Sequence, residues 1–116
     1  MPISRQFYPG SAKNSFKSAP HRDYTPLIHK DTDTSPTSDE WNGFIKTAVE
    51  SGMFKGGSAI SARQKLGRKD VVDTTETIGG FMRFDAEDFD DLMALLNDHP
   101  VVKHGGTVEL CEMPKT

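Results

Sequence analysis

Four histidines and a single cysteine are the side chains of this 116-residue sequence best suited to proton transfer, metal ligation or nucleophilic attack. Their settings narrow the choice. His29 closes an apolar stretch (YTPLIHK), where an imidazole at a strand end would titrate near neutrality and serve as an acid or base. Arg83 interrupts the apolar run GGFMRF, and a cation there could hold a carboxylate or enolate. Glu109, between Val108 and Leu110, would be a partly buried carboxylate with base character. Arg63, expected on the second strand, could extend an anion-binding site. Each also has a structural reading. His29 could be an ordinary strand-end histidine, Arg83 and Glu109 an ion pair across a sheet, and Arg63 a surface residue.

The other reactive groups carry weaker signals. Cys111 would need a neighbouring cation to become a nucleophile, and no flanking signature supplies one, so it reads as a small buried filler. His21, His29, His99 and His104 include no pair four apart and no CxxC accompanies them, so no metal site is expected; His99, before Pro100, reads as a helix-end residue. Gly79-Gly80 and Gly105-Gly106 form neither a GxGxxG nor a phosphate loop, and the acids of residues 87–91 lack the alternating spacing of a calcium loop. No cofactor is expected.

Fourteen basic against seventeen acidic residues give a net charge of -3, with no basic stripe of the kind a phosphate backbone requires. Nucleic acid is therefore not an expected partner. No apolar run approaches a membrane span, no hydrophobic leader follows Met1, and one cysteine allows no internal disulfide framework, so the expected setting is the cytoplasm. The hydrophobic fraction of 34% is low for a compact domain. The apolar residues gather from Tyr24 onward, and a core this lean gains burial by pairing with a second copy.

The elements that must position these groups follow from periodicity. Residues 1–22, rich in Ser, Pro and basic side chains and without a period, read as an irregular arm, docked or disordered; residues 23–116 form the domain. A strand is expected over 23–30, with Pro26 implying an edge, a bulge or an irregular start. A helix over 37–51 begins at Ser35 with Pro36, or at Thr37 with Glu40 in a capping box, buries Trp41, Phe44, Ile45, Ala48 and Val49, and ends at Gly52. Gly56-Gly57 reads as a turn before a strand over 58–64; a turn at Gly67 and a short strand over 70–73 follow. A long strand covers 78–84. A second helix, capped by Asp85 with Glu87 and Asp88 in its first turn, buries Phe89, Leu92, Met93 and Leu96 and stops at Pro100. The last strand, 107–113, turns Val108 and Leu110 to the helices and Thr107, Glu109 and Cys111 away.

This order of elements predicts an α+β fold: a ferredoxin-like split βαβ sandwich, one antiparallel sheet with two helices on one face. The other face needs cover, and pairing with the same face of a second copy would make a closed homodimer.

The opening LIHKD, the helix end ESGMFKGG, the entry ETIGGF and the closing HPVVKHGG before TVEL together resemble the YCII-related (YciI-like, DGPF) family. The resemblance runs from Tyr24 to the C-terminus. It implies a dimeric α+β barrel, and in some members an acid/base His and Asp pair with the histidine on the first helix, a few members resembling dehydrochlorinases of chlorinated hydroxyquinones. The first helix here has no histidine, and DTTETIGG occupies the stretch of the DGPF signature. The functional expectation is a small polar organic molecule (acid, phenol or enol) bound or transformed in a cavity at the dimer interface. His29 and Glu109 would be the catalytic pair there, with Arg83 and Arg63 as ligand-binding residues. The alternative is a non-catalytic binding or regulatory dimer in which the same residues form an interfacial ion network.

Overall fold

A computed structural model describes residues 22–68, 72 and 74–114. Strand β1 (Arg22–His29) leads through a loop to helix α1 (Ser38–Glu50), then β2 (Phe54–Ala59), β3 (Ile78–Ala86), helices α2 (Phe89–Leu96) and α3 (Pro100–Lys103), and β4 (Val108–Met113). The four strands form one sheet in the order β2-β3-β1-β4, with every neighbouring pair antiparallel. This α+β arrangement is compatible with a ferredoxin-like fold.

Alternation decides which face is dry. Tyr24, Pro26 and Ile28 of β1, Gly80, Met82, Phe84 and Ala86 of β3, and Glu112 of β4 are buried. Of these, Tyr24, Ile28, Met82, Phe84 and Ala86 meet Phe44 and Ala48 of α1 and Leu92, Leu95 and Leu96 of α2 in one apolar cluster, closed by Val101 of α3. Residues between them in sequence, including Leu27, His29, Phe81, Arg83, Glu109 and Cys111, belong to the opposite face. No described helix covers that face.

Helix α1 starts where the capping box places it: the Thr37 hydroxyl accepts from the Glu40 N–H at 3.1 Å, and the Glu40 carboxylate accepts from the Thr37 N–H at 2.8 Å. Phe44 and Ala48 are buried and Trp41 and Ile45 pack against the core, but Val49 is exposed, one residue beyond the stripe that α1 presents. Pro26 lies in a central strand rather than at an edge. The β1–β3 ladder lapses at Thr25 and Pro26 while the β1–β4 ladder runs through both, so the missing donor faces β3.

Other boundaries move for long-range reasons. Strand β2 begins at Phe54 and takes in Gly56 and Gly57, with a register shift between Phe54 and Gly56; it ends at Ala59, short of Arg63. Pairing with β3 converts an expected turn into a bulged strand. Strand β3 runs on to Ala86 because Arg22 and Asp23 pair with Ala86 and Asp85, and the N-cap of α2 passes to Asp88, whose carboxylate accepts from Asp90 N–H at 2.8 Å. Leu95 is buried where Met93 was expected, and Met93 is half-buried. Pro100 does not stop a helix but opens α3 at its first position. The expected strand over 70–73 lies almost wholly outside the described residues, as does the arm except for Arg22, which belongs to β1.

Candidate functional site

His29 is the last residue of β1, held by its backbone N–H to Thr107 O at 3.0 Å. Its side chain projects from the uncovered sheet face, about one-fifth exposed, and Nε2 lies 2.9 Å from Glu109 Oε1 on β4. The carboxylate can only accept, so Glu109 selects the tautomer with hydrogen on Nε2 and leaves the lone pair on Nδ1. Thr77 approaches that nitrogen at 3.4 Å, a long contact for a hydroxyl donor. The cross-strand register explains the pairing, because Leu27 is opposite Glu109 and the residue two further along reaches it diagonally.

Asp31, two residues beyond His29, completes the group. Its Oδ1 accepts from Thr107 N–H at 2.8 Å and its Oδ2 from the Thr107 hydroxyl at 2.7 Å. These two bonds, the hydroxyl one first, hold its carboxyl below the usual aspartate range, with a smaller contribution from His29. One imidazole thus lies near two carboxylates. Neither Asp31 nor Thr77 was singled out from the sequence, although the i, i+2 spacing in HKD would have placed Asp31 on the His29 face of an extended chain.

Arg83 and Arg63 are elsewhere. Arg83 is exposed on the same face but level with Thr25, four residues from His29 along β1, or about 13 Å along the sheet by strand rise. Glu109 pairs with His29, and no ion pair joins Arg83 to Glu109 among the described residues. Arg63 lies in the loop after β2, where its guanidinium donates to Glu76 O at 3.3 Å and to Ile78 O. Those carbonyls flank Thr77, so Arg63 positions the segment beside His29. Cys111 is half-buried on the open face, and desolvation together with the Glu109 charge raises its thiol pKa.

The two remaining described histidines do structural work. His99 is completely buried, its ring 4.9 Å from Trp41 edge-on and 4.6 Å from Phe44, and its Nδ1 accepts from Val101 N–H at 3.1 Å as the N-cap of α3. Burial lowers its pKa to about 4. It is therefore the buried N-cap of α3 rather than the helix-end residue expected of it. His104 ties three segments together, with Nε2 2.8 Å from Glu40 Oε2 and Nδ1 2.6 Å from the Thr34 hydroxyl. Hydrogen bonds from Thr37 and His104 bring the Glu40 pKa down to about 2. Gly105 at φ +85° and Gly106 then fit against Asp33, Thr32 and Asp31, so the run HPVVKHGG is a clasp between the loops before α1 and before β4.

Among the described residues no group of three or more His, Cys, Asp or Glu side chains is placed to hold a metal ion, and no helix is long and apolar enough to cross a membrane. A separate apolar groove opens between α1 and the β2–β3 edge, and none of His29, Arg83, Arg63 or Glu109 lines it. Comparison with protein-family models, curated proteins and solved structures returned no match for this chain.

Proposed function

We propose that this chain is a YCII-like domain that pairs sheet to sheet with a second copy and binds a small organic acid, phenol or enol between the two faces, moving its proton by acid/base chemistry. The observation that carries the reading is the His29–Glu109 pair at 2.9 Å on a sheet face that no described helix covers. Glu109 holds Nε2–H, and Nδ1 is the base. A ligand hydroxyl would replace the long Thr77 contact and give its proton to Nδ1, while Glu109 stabilises the imidazolium that forms. Arg83 lends positive potential to the face without touching the same ligand atom. The strand order and the common helix side support the split βαβ arrangement, and with it the dimeric α+β barrel.

The test is a thermal-shift screen of small carboxylates, phenols and quinones on the wild type, His29→Ala and Glu109→Gln, with molar mass measured by light scattering. A dimer whose ligand-induced shift disappears in both variants supports the proposal. A monomer, or shifts indifferent to both substitutions, overturns it. One observation favours the second reading, a non-catalytic dimer with an interfacial ion network: both ring nitrogens of His29 already have partners within the chain. On that reading both substitutions weaken the dimer and no ligand shifts the melting.

A further inference from the structure

The groove beside α1 has a volume of about 330 Å³, within the range of small-molecule sites. Its origin is legible in the strands. On the helix-facing side of the β2–β3 pair, Gly57 is opposite Met82 and Ala59 is opposite Gly80. Three of these four positions carry at most one side-chain carbon, so the sheet does not fill the space beneath α1. Trp41 and Ile45 of α1 and Phe54 of β2 wall the space instead. Behind Trp41 lies the buried His99 ring, 4.9 Å away, which backs the indole on the side of the core.

The lining carries no charged side chain, and its polar side-chain groups are limited to the Ser58 hydroxyl and the Trp41 indole N–H. A charged ligand would lose hydration there with no opposite charge to replace it, whereas an apolar ring would gain contact with the Trp41 and Phe54 rings. We propose that this groove is a binding site for an uncharged, flat apolar molecule of roughly two or three rings. The site is independent of the His29 pair: it is formed by α1 and the helix-facing side of the β2–β3 edge, and no catalytic group lines it. It supplies affinity without chemistry.

The probe is N-phenyl-1-naphthylamine, uncharged and fluorescent when transferred from water, titrated into the full chain. Trp41 is the only tryptophan, so energy transfer from it reports binding directly. Expected are saturation at one probe per chain, a shift in Trp41 emission, and affinity weakened at least about tenfold by Ala59→Phe, which fills the groove from the exposed sheet edge. Ile45→Phe fills it from the helix, and keeps the test open should the first variant fail to fold. His29→Ala should bind the probe as the wild type does, which separates this site from the one proposed above. Absence of saturable binding overturns the proposal, as does binding indifferent to both filling substitutions. Probe displacement that tracks self-association would also overturn it, by assigning the groove to a second copy.

Discussion

Acidification should destabilise this protein through His99. The imidazole is completely buried between Trp41 and Phe44, and its pKa falls from 6.5 to about 4. Because the folded value is depressed, the native state holds His99 neutral while the unfolded chain binds a proton. The stabilisation is complete above the unfolded value and is lost as pH falls from about 6.5 toward about 4. The full span corresponds to about 3 kcal/mol, of which about 2 kcal/mol is lost by about pH 5. Urea titrations at about pH 7.5 and about pH 5, followed by Trp41 fluorescence, should show the midpoint dropping by about 1 M. His99→Phe keeps an aromatic ring and sacrifices the cap to Val101 N–H, so it should start about 1 kcal/mol less stable and lose little more on acidification. Glu40 and Asp31 do not confuse the comparison, since their depressed values place their losses below the ordinary carboxylate range. If His99→Phe loses stability between the two pH values as steeply as the wild type, the reasoning is refuted.

Three further outcomes test the packing account. Gly105→Ala places a Cβ at φ +85° and 2.2 Å from Asp33 Oδ2; because the Asp33 side chain can swing away, backbone strain sets the loss at about 1–2 kcal/mol, and adding Asp33→Ala should not restore the melting temperature. Thr37→Ala removes one half of the capping box and should cost about 1 kcal/mol in urea titrations, with fraying of the first turn of α1 seen in amide exchange. Leu92→Ala empties a fully buried position of α2 and should cost about 2–5 kcal/mol, the largest loss of the set by thermal unfolding.

The sequence by itself determined what depends on neighbours within a turn or two. The capping box at Thr37 and Glu40, the end of α1 near Gly52 at φ +79°, the apolar stripe of α1 and the facing of Val108, Leu110 and Glu109 all follow from local spacing. His29 and Glu109 were legible as candidates because each breaks an apolar strand, but their 2.9 Å contact depends on the β1–β4 register. Tertiary structure alone decided the rest. Strand β3 extends to Ala86 because β1 supplies partners there, and Gly56-Gly57 becomes strand because β3 supplies a ladder. Glu112 is buried against Arg22 because its side chain falls on the helix side of β4, where the first residue of β1 can reach it. His99 reads as a helix-end residue in sequence and is the most buried histidine in the described chain, since only the approach of α1 brings two aromatic rings against it. Local chemistry chooses the cap of α1 and the faces of the strands; partners distant in sequence choose where strands end, and with β3 the cap of α2, which polar groups are paired and which titratable side chains lose their water.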